Sequence, residues 1–268
     1  MLRRQRSVQA TQIPGVTDTP RLKVWTDYGE LGEGASKAHS VLAENGEEYI
    51  AKGPVFNPAL PYVAANELIV ARLAEWLGLP LLDFRVLEMK GDLFFGSAWM
   101  AKPTFYPAIT KTLFDQCENR ARNYDIVAFD WWVYNTDRHE HNLMVRKGGR
   151  TPSGPRHLLM LNDHSHALIQ AGESPATNTK NVRIAPAVRL DFLRDSIRST
   201  TKFGYAIDLI ENIPDGTIRS VVGSVPEPFL AADERSAVVE FLCNRRDDLR
   251  PMFNRERILL PKLQGGQI

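Results

Sequence analysis

Tyr134-Asn135-Thr136-Asp137-Arg138-His139-Glu140-His141-Asn142, followed beyond two predicted strands by Asn162-Asp163-His164, is the stretch on which the reading of this chain turns. An Asp is followed five residues later by an Asn, and a second Asp stands at the exit of a strand. Phosphoryl transfer needs such a set. One carboxylate orients the attacking hydroxyl, and an amide oxygen and another carboxylate hold a divalent cation against the nucleotide phosphates. Taken singly, Asp137 and Asn142 read as turn and capping residues. All three in order, between apolar elements, favour Asp137 as the catalytic carboxylate and Asn142 and Asp163 as ligands of Mg²⁺, a hard cation suited to oxygen donors.

The flanks fit that reading. Residues 123–134 are densely apolar, as in a buried helix running straight into the motif. Leu143-Met144-Val145 and Leu158-Leu159-Met160-Leu161 read as a strand pair joined by a Gly/Pro-rich loop, with Asp163 at its exit. Helical patterns then cover roughly 186–199, 203–212, 214–222 and 232–249.

Upstream, the chain is β-rich with one helix. Leu22-Lys23-Val24-Trp25 and Ser40-Val41-Leu42-Ala43 read as strands around a glycine-bearing turn, Gly32 to Lys37. Asn45-Gly46 marks a hairpin, because Asn-Gly readily adopts the positive φ angles of a tight turn. In the return strand Glu48–Lys52, alternation sets Glu48, Ile50 and Lys52 on one face and Tyr49 and Ala51 on the other. Residues 61–78 have helical periodicity, stopped by Gly78 and Pro80. Strands Phe84–Glu88 and Leu93–Met100 follow, around a turn at Lys90-Gly91-Asp92.

Several upstream residues are candidate nucleotide contacts. Lys52 can reach phosphates as a point charge, and Glu67 on the following helix can hold it extended through an ion pair. Gly34, Ser36 and Lys37 can present backbone N–H groups and an ammonium to phosphates, although this is not the Gly-Lys-Ser/Thr phosphate loop that opens a helix. Met100 lies where an adenine slot would fall. A competing reading starts from the histidines. Asp137, His139 and His141 form Asp-x-His-x-His, and His164 and His166 adjoin Asp163. Such clusters bind zinc or a di-metal centre in phosphohydrolases. That reading leaves Lys52, Glu67 and Asn142 without a role.

Composition sets the frame. With 268 residues, 43% hydrophobic, 24% charged and a formal net charge of +1, the chain gives no electrostatic sign of nucleic-acid or membrane binding. No run approaches the ~20 apolar residues of a membrane span. Cys117 and Cys243 make no metal-ligand pattern, which suits a reducing cytoplasm. Residues 1–20 read as a flexible arm. The expected fold class is α+β in two lobes. Residues 21–102 form a small β-rich lobe with one helix, and 103–268 a larger, mainly helical one, with a nucleotide in the cleft between them.

The motif also resembles a family. Asn135 to Asn142 looks like the N-x-D-R-H-x-x-N catalytic loop of HipA-like kinases, and is similar to the D-R-H-x-x-N loop of phosphatidylinositol 3-/4-kinases. Asn162-Asp163-His164 resembles their metal-binding step, with Ser165 where glycine is common. Tyr49-Ile50-Ala51-Lys52 looks like the ATP-binding lysine strand, and Asn66-Glu67 with Leu77-Gly78-Leu79-Pro80 is similar to a helix of small HipA-like proteins.

The resemblance covers roughly residues 30–250. It implies a bilobal protein-kinase-like fold using ATP and Mg²⁺, with Asp137 as base, Asn142 and Asp163 as metal ligands and Lys52 on phosphate. It further implies a protein Ser/Thr acceptor, an antitoxin-like or regulatory partner, and Ser36 as the nearest equivalent of an autophosphorylated loop serine. HipA-like toxins act, in known cases, on an aminoacyl-tRNA synthetase. This chain is shorter than full-length HipA toxins and is expected to lack their extra N-terminal subdomain. A nucleotide-binding pseudokinase remains the alternative within the same fold.

Overall fold

The computed structural model describes residues 21–32, 36–99, 105–106, 108–151, 154–178, 183–266 and 268. The N-terminal arm, Gly34, Met100 and the Lys102-Pro103 boundary lie outside the described residues.

The first five strands close into a barrel in the order β1-β2-β3-β5-β4. They are β1 (Arg21–Glu30), β2 (His39–Ala43), β3 (Glu48–Lys52), β4 (Phe84–Met89) and β5 (Asp92–Ala98). All neighbours are antiparallel except β1 and β4, whose parallel pairing closes the ring. The two hairpin turns follow from local chemistry. Gly46 takes φ +79°, and Lys90 and Gly91 take +56° and +89°, the double left-handed step of a tight hairpin. β1 is longer than Leu22–Trp25 because two register shifts let it bend and keep pairing with β2.

Period-two alternation sorts the barrel's side chains. Val41, Ala43, Tyr49, Ala51, Leu87, Met89 and Phe94 fill its interior. A Cβ at Gly96 would stand 2.5 Å from the Leu87 side chain, so glycine there makes room for that core residue. Phe84, Val86, Leu93 and Phe95 point outward into a second, larger core.

Helix α1 (Val63–Trp76) belongs to that second core and is buried from Val63 to Ala74. It touches β5 on the barrel and, farther on, helix α7. Its end is a Schellman motif. Gly78 takes φ +61°, Gly78 N donates to Glu75 O at 2.9 Å, and Leu79 N donates to Ala74 O at 2.8 Å. Arg122 adds a side-chain cap, donating to Gly78 O at 2.7 Å.

The rest of the chain is helical around a three-stranded sheet, β6-β7-β8, formed by β6 (Phe105–Tyr106), β7 (Leu143–Thr151) and β8 (Gly154–Leu161). The predicted Gly/Pro-rich loop is mostly strand. A register shift between Lys147 and Arg150 absorbs Gly148-Gly149, and the pairing runs on to Thr151 and Gly154. The remaining helices are α2 (Lys111–Asp115), α3 (Asn123–Trp132), α4 (Pro175–Asn178), α5 (Asp191–Ser196), α6 (Thr200–Glu211), α7 (Asp215–Gly223), α8 (Arg235–Asp247) and α9 (Leu249–Glu256).

The pattern at 232–249 is α8, Arg235–Asp247, which stops at Asp248 because Pro251, inside the next turn, offers no N–H and its ring clashes with the carbonyl four residues back; α9, which begins at Leu249, lies beyond the predicted helices. The pattern at 186–199 yields helix only from Asp191, since 183–190 runs as an irregular strap. Among the described residues no helix is long and apolar enough to cross a membrane.

Candidate active site

The site is built where β3, α1 and the exit of β8 converge. Lys52 ends β3 on its outward face, 5% exposed, and its ammonium spends its three protons on three partners. Nζ lies 2.6 Å from Glu67 Oε1, 2.7 Å from Asp163 Oδ2 and 3.1 Å from Ser165 Oγ. Glu67 comes from the fully buried α1. Its second oxygen, Oε2, accepts from His164 N at 2.9 Å.

Asp163 sits just beyond β8 with φ +54°, a left-handed turn that an aspartate tolerates better than most residues. Two bonds fix the strand exit: Leu161 N donates to Pro80 O at 2.6 Å and Leu82 N to Leu161 O at 3.4 Å. Asn66, next to Glu67, secures the following loop. Its amide donates to Ser165 O (3.0 Å) and Ile169 O (2.9 Å) and accepts from Ile169 N (3.2 Å).

Charge and burial oppose each other here. Burial alone would raise the Asp163 carboxyl, but the Lys52 ammonium outweighs it and holds the group well below the usual carboxylate range. Glu67 is likewise pushed up by burial and pulled further down by Lys52. Burial would weaken the Lys52 ammonium, yet Asp163 and Glu67 raise it above its ordinary value. All three groups therefore stay charged.

Ser165, where the family pattern has glycine, is part of this cluster. It is 6% exposed, and its hydroxyl accepts from Lys52 while standing 2.7 Å from Asp163 Oδ1 and 3.0 Å from Glu67 Oε1. The substitution adds a polar bridge among the three ions.

The Asp137 loop is held from beneath. Asp130, in the last turn of α3, takes two bonds from Arg138, Nε to Oδ2 at 3.0 Å and Nη2 to Oδ1 at 2.9 Å, and one from Asn135 Nδ2 at 2.9 Å. Arg138 Nη1 then donates to Asn142 O (2.6 Å) and Asn162 O (2.8 Å), tying the start of β7 to the end of β8. Asp130 and Arg138 are 5% and 3% exposed, so this is a buried, bidentate pair. At the far end of α8, buried Arg245 donates to the last carbonyls of α3, Trp132 O at 2.9 Å and Trp131 O. Asp130, Ser165 and Arg245 are additions to the site residues expected from sequence. An Asp between Phe129 and Trp131, in the apolar last turn of α3, was the available signal for the first.

Asn142 Nδ2 donates to Asp137 O at 2.6 Å, which leaves the amide oxygen outside the loop's own bonds. Asn162 N donates to Asn142 O at 3.3 Å, so Asn142 stands beside the residue preceding Asp163. Asp137 is partly exposed, and its carboxylate accepts from Arg189. Lys52, Glu67 and Asp163 are thus in direct contact, and backbone pairing links the loop carrying Asp137 and Asn142 to the turn carrying Asp163.

The other sequence candidates fare differently. Ser36 is buried and Lys37 exposed at φ +47°, in a turn closed by Leu31 N donating to Ala38 O at 2.9 Å; no contact joins either to the Lys52 cluster among the described residues. The histidines support loop and turn structure. His139 Nδ1 accepts from His141 N at 3.2 Å, and His164 is buried beside Glu67. Among the described residues no three His, Cys, Asp or Glu side chains are grouped to hold a metal ion.

A barrel joined through a buried helix to a helical body, with a lysine–glutamate–aspartate cluster at the junction, defines a kinase-like fold. The structure is similar to that of the Helicobacter pylori proinflammatory kinase CtkA (TM-score 0.56, 16% identity, covering 83% of this chain and 90% of that one). It is also similar to HipA of the Shewanella oneidensis MR-1 toxin–antitoxin system, solved with HipB and operator DNA (TM-score 0.50, 14% identity, covering 85% of this chain and 68% of that one). The model of the HipA-like kinase family matches residues 28–174, and the chain belongs to that family. No curated protein matches it.

Proposed function

We propose that the protein is an ATP-dependent phosphotransferase that moves the γ-phosphoryl group to a hydroxyl, with a protein serine or threonine as acceptor. The observation that carries this is the triple contact of Lys52 with Glu67, Asp163 and Ser165, beside the Asp137–Asn142 loop. Lys52, held extended by Glu67, binds nucleotide phosphate. Asp137 orients the acceptor hydroxyl and takes its proton as the oxygen–phosphorus bond forms and the bond to the ADP oxygen breaks.

Asp163 and the Asn142 amide oxygen fit a hard divalent cation, Mg²⁺, by the chemistry of their donors. A cation bound there would offset negative charge on the phosphate oxygens. Gly34, Ser36 and Lys37 would cover the phosphates and Met100 would line the base. The reading includes a two-lobed arrangement, with residues 21–102 against 103–268, and a cytoplasmic setting with a regulatory partner, as suggested by analogy with HipA.

The test is incubation with Mg²⁺-ATP followed by mass spectrometry for phosphoserine and phosphothreonine, with Asp137→Ala and Asp163→Asn as controls. Phosphate on wild-type samples alone supports the reading. An equal signal in all three sinks it. ATP binding without transfer would mark a nucleotide-binding regulatory module instead.

A further inference from the structure

Arg189 has no part in the cluster above, yet it occupies the proposed base. It lies in the strap 183–190 leading into α5. The strap is anchored on either side of the arginine. Arg255 donates to Arg183 O at 3.1 Å, Arg245 donates to Ile184 O at 3.3 Å, and Ala185 and Leu190 are buried. Between these anchors the Arg189 guanidinium donates to Asp137 Oδ1. The other carboxylate oxygen, Oδ2, has His139 Nε2 and Asn142 Nδ2 each at 3.5 Å.

With the guanidinium on Oδ1, an arriving hydroxyl competes with a cation for that oxygen, and the paired carboxylate is a weaker base. An incoming anion can take the guanidinium from Oδ1 by exchange. That anion comes from the solvent side: the Arg189 side chain is 53% exposed, against 6% for Lys52 at the phosphate end. The approach side is therefore that of the acceptor.

We infer that Arg189 is a specificity residue, and that acceptors carry an acidic side chain within one arginine's reach of the hydroxyl to be phosphorylated. The substrate's carboxylate draws the guanidinium off Asp137, which frees Oδ1 for the hydroxyl proton. The acceptor oxygen then bonds to the γ-phosphorus, and ADP leaves with the electrons of the broken bond. Arg189 takes no part in the bond changes. A neutral acceptor leaves the guanidinium on Asp137 and is used poorly.

This inference rests on the kinase reading, and the experiment separates the two. Serine peptides of neutral background, each made as an Asp/Asn pair at one flanking position, are assayed with wild type, Arg189→Gln and Arg189→Lys. Thermal shift with ATP is measured in parallel. The wild type is expected to prefer the best acidic peptide over its Asn twin by about tenfold in kcat/KM, the usual weight of one charge-assisted bond. Arg189→Gln should bring that ratio near one and raise kcat/KM on neutral peptides, and Arg189→Lys should keep part of the preference. Equal ratios in wild type and Arg189→Gln overturn the inference and leave the kinase standing. ATP binding with transfer to none of the peptides overturns the acidic-acceptor class. Absence of both ATP binding and transfer overturns the kinase reading itself.

Discussion

Lys52 Nζ and Asp163 Oδ2 are in direct contact at 2.7 Å, although one ends a barrel strand and the other follows the last strand of a different sheet. A phosphoryl-transfer site requires both groups to reach one triphosphate. Their contact places the lysine's charge on the carboxylate that is proposed to receive a cation. Nucleotide phosphate and Asp163 therefore compete for the same ammonium.

That competition has a measurable sign. In chelator, without divalent cation, Asp163→Asn should bind ATP more tightly than wild type, by roughly threefold to tenfold, since one charged competitor is gone. Adding Mg²⁺ should tighten the wild type far more than the variant. Calorimetric titrations with and without the cation check both halves. Weaker metal-free binding by Asp163→Asn would contradict the competition.

Removing the lysine should be costly to the fold. Lys52→Met leaves Glu67 and Asp163 as neighbouring carboxylates without their cation, and breaking one side of a buried ion pair costs about 3–5 kcal/mol. Adding Glu67→Gln to Lys52→Met should cost less than the sum of the two single changes. Urea midpoints of the two single variants and the double variant make that cycle.

Stability should follow pH in a set direction. Glu67 and Asp163 are held below their ordinary range, so the stability they add is complete above the unfolded carboxylate values, about pH 4, and is lost as pH falls through their folded values. Lys52 is raised, so its share is complete below its ordinary value and is lost only in strong alkali, as pH passes its folded value. The urea stability difference between wild type and Glu67→Gln should be flat from about pH 5 to 9 and shrink below about pH 4.

Ser165→Ala should lower stability by about 1 kcal/mol, the usual net worth of a lost hydrogen bond, and raise KM for ATP more than it lowers kcat. Its hydroxyl touches the lysine and both carboxylates, while no bond joins it to Asp137. An unchanged KM would limit Ser165 to a packing role.

Arg138→Lys should be far from conservative. A lysine cannot make the two parallel bonds to Asp130 or reach Asn142 O and Asn162 O at once. The expected cost is about 2–4 kcal/mol, with phosphoryl transfer reduced at least about tenfold because Asp137 loses its support. Thermal melts and the phosphopeptide assay report the two effects separately.

Much of this was legible in the sequence where local chemistry decides the outcome. The strand Glu48–Lys52, the Asn45-Gly46 and Lys90-Gly91 turns and the Gly78 helix stop all follow from period two or from positive φ. The alternation that sets Lys52 apart from Tyr49 and Ala51 is also what turns it out of the barrel toward Glu67. What escaped notice depends on contacts between distant parts of the chain. Exposed Trp25 and Tyr28 on bulged β1 break the simple strand pattern, so its length was hidden. Helix α9 begins at Leu249 with Pro251 in its first turn, a residue that reads as a helix stop. Asp130 reads as one polar residue among apolar ones until Arg138 folds back on it. Arg189 lies where the sequence pattern reads as helix but the chain runs as a strap, and nothing nearby in sequence points toward Asp137.

The burial of α1 on every side also sets the limits of dissection. Its apolar surface has no face meant for water, because β5 covers one part and α7 another. A fragment ending after β5 would carry the barrel but leave the far side of that helix bare, and would self-associate. A fragment starting after α1 would have an open trough along its own core. The barrel, the helix and the helical body are therefore expected to fold only as one piece.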